Sequence, residues 1–304
     1  MVAGMIVVSG KTSFPDGLRA YKMIGNISAV QRMILVMQKA GVDRVFLVTS
    51  EDTDTLEKHV ARMETVMYRN PQTDAEMIDN IRFGLRSMPG RFEKVLIAPV
   101  NNPLFSDETI ARLINSKSPA AIPVFEGKQG HPVMISAAWF DLVFSYPSKN
   151  GLKELFSARK EDVDEIEVED EGILYNTRSD EEDWDSLADR HSLKNLRPVV
   201  RVSLAKDDVF FGPGTQMLME LTDETGAIRT ACERMGISYS KGWKSIIHFE
   251  KQIGFEVMTR QQGGKHGGAS RLTDEGQAFI ETYRRFSQEI REFCEESFKK
   301  HFPQ

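Results

Sequence analysis

The first part of this chain alternates short apolar runs of strand length with longer stretches whose apolar residues recur at helical spacing. "MIVVSG" reads as a first strand ending in Gly10. "SAVQRMILVMQKAG" follows as a helix stopping at Gly41, and "VDRVFLVTS" as a second buried strand. "DAEMIDNIRFGLRSM" is a helix, "KVLIAPV" a third strand, and "SDETIARLINS" a helix opened by Ser106 as N-cap. "PAAIPVF" and "HPVMIS" add two more strands. Such alternation belongs to βαβ units, and hence to an α/β class with a mostly parallel, Rossmann-like sheet between two helical layers. Ligands on such sheets bind outside the carboxyl ends of the strands, so Gly10 to Arg19, Val100 to Pro103 and Gly127 to Pro132 are expected to line one crevice.

No run of the 304 residues approaches the roughly 20 apolar residues that cross a bilayer, and "MVAGMIVVSG" lacks the parts of a signal peptide. A cytoplasmic protein without a membrane partner is expected. Cys232 and Cys294 are too few and too isolated for a disulfide framework or a zinc site, and both fall in helical patterns that suit a small apolar residue. A charged, irregular stretch, "ARKEDVDEIEVEDEGILYNTRSDEEDWDSLADRHSLKNLRP", closes the alternating region, its acidic run reading as a solvated face. The boundaries are therefore 1–195 for the α/β domain, 196–211 for a linker and 212–304 for a mostly α domain.

The formal net charge is −6, yet between Gly226 and Thr273 eight basic side chains face three acidic ones. The pattern there is three helices, "TQMLMELTDETG", "AIRTACERMG" and "SYSKGWKSIIHFEKQIG", then a strand, the glycine-rich "QQGGKHGGAS", a returning strand at Arg271-Leu272, and a long helix opened by Thr273. Two helices joined by "MGIS" form a helix-turn-helix, and the hairpin makes it winged. Ser238, Tyr239, Ser240, Lys241 and Lys244 lead the second helix toward a major groove, while Trp243, Ile246, Ile247 and Phe249 are expected to pack inward. Lys265 and His266 at the wing tip, with Arg271, complete the expected DNA contacts. The competing reading of this basic module is dimerisation or protein docking.

"TGAIRTACERMGISYSKGWKSIIHFEKQIGFEVMTRQQGGKHGGASRLTDEGQAFI" resembles the winged-helix DNA-binding domain of the molybdate-responsive regulator ModE, and more distantly that of LysR-type regulators. The similarity covers Gly212 to Phe286 and rests on "A-x-x-x-M-G-x-S-Y-x-x-x-W" followed by "GGKxGGxxxLT". It implies a homodimer, built partly on the helix after the wing, that reads an inverted-repeat operator. The oxyanion-binding domains that follow in that family are not in this sequence, which assigns sensing of a small-molecule effector to the N-terminal half.

A second resemblance covers Met5 to Leu187. "VVSGKTSFPDGLRAYKMIG", "IAPVNNPLFSDETIARLI" and "IPVFEGKQGHPVMIS" are similar, in order and spacing, to three landmarks of the MobA/MocA-like nucleotidyltransferases, which join a nucleotide to the molybdenum cofactor. The resemblance implies ligand contacts from Ser9, Gly10, Lys11, Arg19, Asn101, Gly130 and His131. Against the family's L-A-A-G-x-S-x-R-M-G-x-x-K, however, Phe14 stands at the arginine, Asp16 at a glycine and Arg19 at the lysine. The family's Asp-x-Pro, whose carboxylate holds magnesium, is here Asn101-Asn102-Pro103, and its Asp-Thr pair is Asn176-Thr177. Magnesium prefers hard anionic oxygens, and an amide carbonyl brings no charge. Asp16, Asp107 or the acidic run are the remaining sources of a metal ligand, and His131 is either a phosphate or base contact or a capped surface residue.

The expectation is a DNA-binding transcriptional regulator whose nucleotidyltransferase-like domain is degenerate at Phe14, Asn101 and Asn176 and senses a nucleotide or molybdopterin ligand, without a resident metal. Its rival is an active, magnesium-dependent cytidylyl- or guanylyltransferase of molybdenum cofactor that carries a regulatory domain. A third reading is a scaffold with neither activity nor ligand.

Overall fold

The computed structural model describes residues 1–8, 19–49, 54–61, 63–72, 75–147, 151–176, 198–260 and 270–302, without the side chains of Arg19, Asp54 and Arg260. The chain divides into two compact units, Met1–Ser192 and Leu193–Gln304. In the first, β1 (Val2–Val8) is followed by a small hairpin, β2 (Met23–Ile24) and β3 (Ile27–Ser28), that leads into α1 (Ala29–Lys39). Then come β4 (Arg44–Thr49), α2 (Asp54–Val60), β5 (Thr65–Arg69), α3 (Met77–Ser87), β6 (Lys94–Pro99) and α4 (Asp107–Asn115). The unit continues through β7 (Ala120–Phe125), β8 (Lys128–Gln129), β9 (Val133–Ser136), α5 (Phe140–Ser145), α6 (Leu152–Ala158) and β10 (Val163–Glu167).

The strands form one sheet in the order β10-β7-β9-β6-β1-β4-β5, with β8 folded back on β7. Pairing is parallel from β6 through β1 and β4 to β5 and between β7 and β10; β9 lies antiparallel between β6 and β7. Successive residues of a strand face opposite ways, and β1 shows the consequence. A Cβ on Gly4 would meet Met37 of α1, whereas Gly84 of α3 lies against Met5 and Val48. Helices therefore cover both faces, α1 beside α4 on one and α3 beside α5 on the other, the latter pair joined by Arg82 donating to the carbonyls of Val143 and Tyr146. Ser28 caps α1 in a capping box with Gln31, and Ser106 caps α4, as its sequence suggests.

Two elements differ from the sequence reading. "VDEIE" inside the acidic stretch is not irregular: it forms the edge strand β10, whose polar residues face water on a strand with one paired side. At the opposite edge, "TVMYR" is β5, packed on β4 with Tyr68 stacked on Phe46. No helix among the described residues is long and apolar enough to cross a membrane.

The second unit begins at Leu193 and takes in the stretch 196–211 read as a linker. There β11 (Leu204–Ala205) and β12 (Val209–Phe211) form a hairpin that sends Phe211 into an aromatic core with Phe249, Phe279 and Tyr283, at ring separations of 4.6, 5.0 and 4.8 Å. Then follow α7 (Pro213–Thr225), α8 (Ile228–Arg234), α9 (Tyr239–Ile253), the antiparallel pair β13 (Met258–Arg260) and β14 (Ser270–Leu272), and α10 (Asp274–His301), capped by Thr273. The turn between α8 and α9 uses Gly236 at φ +64°.

Candidate functional site

In the N-terminal unit the loops that leave the carboxyl ends of β6 and β7 are brought together by a third segment, Asp170–Asn176, downstream of β10. Asp170 is buried, and its carboxylate accepts from the Ser106 amide (2.8 Å), the Thr109 hydroxyl (2.6 Å) and the Gly172 amide (3.1 Å). It thus supplies anionic charge to the first turn of α4, where the helix dipole is positive. Gly172 lies so close to Leu104 that a Cβ would stand 2.3 Å from its carbonyl oxygen, and Gly130 is pressed equally tightly on Ile173. The His131 amide donates to the Ile173 carbonyl at 3.0 Å. Leu104 and Gly130, from two separate loops, are therefore held around one strap.

At the centre, Asn101 Nδ2 donates to Asn176 Oδ1 at 2.8 Å, and Asn102 Nδ2 donates to the Tyr175 carbonyl at 2.8 Å. Both loop asparagines are buried. The two positions where the family resemblance implies metal-holding carboxylates are thus a pair of neutral carboxamides satisfying each other. Of the alternative carboxylates among the described residues, Asp107 pairs with Lys39 at 3.0 Å, Asp164 accepts from Ser116 at 2.7 Å, and Asp170 accepts from Ser106 and Thr109. No cluster of three His, Cys, Asp or Glu side chains that would hold a metal occurs among the described residues. This donor set does not fit a magnesium ion.

His131 is half-buried. Its Nδ1 is buried with no hydrogen-bond partner among the described residues, and burial pushes the imidazole pKa down to about 4. The ring is neutral near pH 7 and therefore suited to a polar ligand atom rather than to phosphate charge. Beneath the strap, the buried Arg32 donates to the Leu104 carbonyl at 3.3 Å; burial lowers its pKa to about 10, with Asp170 and Asp107 acting the other way. Ser9, Gly10, Lys11, Phe14, Asp16 and Thr177 lie outside the described residues, as does the side chain of Arg19.

In the C-terminal unit Ser238 caps α9, and Tyr239, Ser240, Lys241 and Lys244 are exposed along its leading turns. Ile246 and Phe249 are buried, but Ile247 is 38 % exposed and Trp243 only half-buried. The inward positions are Gly242, Ile246 and Phe249, so residues one place later turn away by about 100°. Gly242 makes the closest approach: a Cβ there would be 2.3 Å from Cys232 Sγ on α8. Burial raises the Cys232 pKa, leaving a protonated packing thiol.

The Arg229 guanidinium lies 5.2 Å over the Tyr239 ring, a contact between α8 and α9 that spacing alone does not announce. Arg271 donates to the Asp223 carbonyl at 2.5 Å, Leu272 N to the Asp223 carboxylate at 2.9 Å, and Val257 N and Met258 N to Glu250 at 3.1 and 3.3 Å. Asp223, and Glu250, which the sequence reading counts only as charge, thus fasten the root of the hairpin. Lys265 and His266 lie outside the described residues.

Comparison with known proteins gives three findings. The model of the MobA-like NTP transferase domain matches residues 6–163. Molybdenum-pterin-binding protein MopB of Rhodobacter capsulatus is 29% identical over 82 residues, 27% of this chain and 30% of that protein, so the match spans under a third of the relative. Among solved structures, a nucleotidyl transferase from Methanothermobacter thermautotroptrophicus superposes with TM-score 0.54 at 16% identity, covering 64% of this chain and 99% of that one. The homolog of Mycobacterium tuberculosis rv0371c from Mycobacterium sp. strain JC1 does so with TM-score 0.53 at 15% identity, covering 62% and 96%. At these identities the two structures share the fold.

Proposed function

Because the chain belongs to the MobA-like NTP transferase domain family through residues 6–163, we propose that it is a DNA-binding regulator in which this domain has exchanged catalysis for ligand sensing. The observation that carries the reading is the 2.8 Å hydrogen bond between Asn101 and Asn176. Nucleotidyl transfer relies on a divalent ion to neutralise charge on the phosphates, and the removal of even one electrostatic contributor costs roughly 10²- to 10³-fold in rate. Here two neutral amides occupy the positions of the metal-holding carboxylates and bond to each other.

The C-terminal unit supports the other half of the proposal. Its α8–turn–α9 pair, the close crossing at Gly242 and the following hairpin have the order of a winged helix-turn-helix, with Lys241 and Lys244 exposed on the leading face of α9. The 28-residue α10 carries Phe286 and Phe293 exposed to 43% and 70%, an apolar stripe that suits a homodimer reading an inverted repeat. The partial likeness to a molybdenum-pterin-binding protein favours a pterin or nucleotide as the effector. Retardation of the DNA upstream of its own coding sequence by the purified protein at moderate salt tests the proposal, and failure to retard it removes the regulator reading.

Family membership itself favours a second reading, an active cytidylyl- or guanylyltransferase acting on molybdenum cofactor. It requires magnesium-dependent release of pyrophosphate from CTP or GTP.

A further inference from the structure

The strap Asp170–Asn176 is anchored to the crevice along its whole length, and its anchors differ in kind. The Asp170 bonds run from the Ser106 amide and the Thr109 hydroxyl to a buried side chain. Gly172 and Ile173 are held by backbone contact with Leu104, Gly130 and His131. The last anchor in sequence includes the part-buried hydrogen bond between the neutral side chains of Asn101 and Asn176. Beyond it the chain leads to the second unit, which begins at Leu193.

A carboxamide presents a donor and an acceptor side by side, and it pairs in two places with a planar heterocycle offering the complementary edge. Such a ligand satisfies Asn101 at least as fully as Asn176 does and needs no metal. We infer that the Asn101–Asn176 bridge is a ligand-displaceable latch: the edge of a purine or pterin takes over the Asn101 carboxamide, and release of Asn176 loosens the strap that leads into the C-terminal unit. His131, whose Nδ1 is buried with no hydrogen-bond partner among the described residues, is held to the same strap through its amide bond to Ile173. Because binding exchanges one set of hydrogen bonds for another, its free energy is coupled to strap release, as a two-state sensor requires. The inference rests on the sensing role proposed above, but the latch is observable in the N-terminal unit alone.

Hydrogen exchange read by mass spectrometry on the full-length protein tests it, with EDTA present and with guanosine or neopterin as the probe; the two arms separate a purine source from a pterin source. At least one probe is expected to speed exchange in peptides covering residues 170–176 by roughly fivefold, the weight of one neutral hydrogen bond. Asn101→Ala should show that acceleration without ligand and no further response to it. Asn176→Ala should show it while still binding the probe. Unchanged exchange in Val2–Val8 certifies the fold of both variants. Protection of residues 170–176 by both probes, or no change with either, overturns the latch. Failure of the regulator reading is separate, since it appears as lost DNA retardation with the exchange pattern intact.

Discussion

Asn101 on the loop after β6 and Asn176 on the strap after β10 are 75 residues apart in sequence, yet their carboxamides meet in a 2.8 Å hydrogen bond. One neutral contact therefore joins the loop after β6 to the strap after β10. Around it, burial keeps His131 neutral, and Asp107 and Asp170 are held in bonds to Lys39 and to Ser106.

Restoring the charge should restore the need for a metal. In the double variant Asn101→Asp with Asn176→Asp, two carboxylates share one site, and their repulsion with the lost bond should destabilise the N-terminal unit by about 1–3 kcal/mol. Thermal denaturation in EDTA should show its transition falling by roughly 2–4 °C per kcal/mol. Magnesium should recover the variant and leave the wild type unmoved; a variant indifferent to magnesium would show that the frame no longer accepts the ion.

Asp170 holds the strap against the start of α4 through two bonds, from Ser106 N and the Thr109 hydroxyl, and accepts a third from Gly172 N within the strap. Asp170→Ala removes a helix cap and leaves buried donors without partners, for an expected loss of about 2–4 kcal/mol. Urea denaturation followed in the N-terminal unit measures this, and a loss below the error of the method contradicts the structural role.

His131 makes stability depend on pH in a stated sense. Its folded pKa of about 4 lies below the ordinary 6.5, so between these values the unfolded chain binds more protons. Stability from this group is full above pH 6.5 and is lost as pH falls toward 4, by up to about 3 kcal/mol. The difference between wild type and His131→Asn in melting temperature against pH should carry this slope; parallel curves contradict it.

How much of this was legible in the sequence varies with the physics of each element. The strands β1, β4, β6, β7 and β9 are announced by apolar runs because both faces of a central strand are covered. β10 was hidden because an edge strand tolerates the Asp164, Glu165 and Glu167 that make it look like a solvated loop. Asn101 was visible as the odd residue before Asn102-Pro103, whereas its bond to Asn176, the capping by Asp170 and the close approach of Gly130 to Ile173 depend on long-range contacts that local spacing does not encode. Ile247 was misplaced for a local reason, since one residue along a helix turns a side chain out of the core.

Gly242 gives a test of the helix crossing. Gly242→Ala drives a Cβ toward Cys232 Sγ, at 2.3 Å in the present backbone, and should destabilise the C-terminal unit by about 1–3 kcal/mol. Adding Cys232→Ala removes the opposing sulfur and should recover much of the loss. A double variant no more stable than the single one contradicts this packing.

The central claim, a nucleotidyltransferase frame that takes its ligand without a metal, is tested most directly by thermal stabilisation of the wild-type protein with nucleotides and pterins, with and without magnesium. The account predicts that a nucleotide or pterin raises the melting temperature of the N-terminal unit equally in EDTA and in magnesium. Stabilisation that appears only with magnesium, together with pyrophosphate release from CTP or GTP, would contradict it.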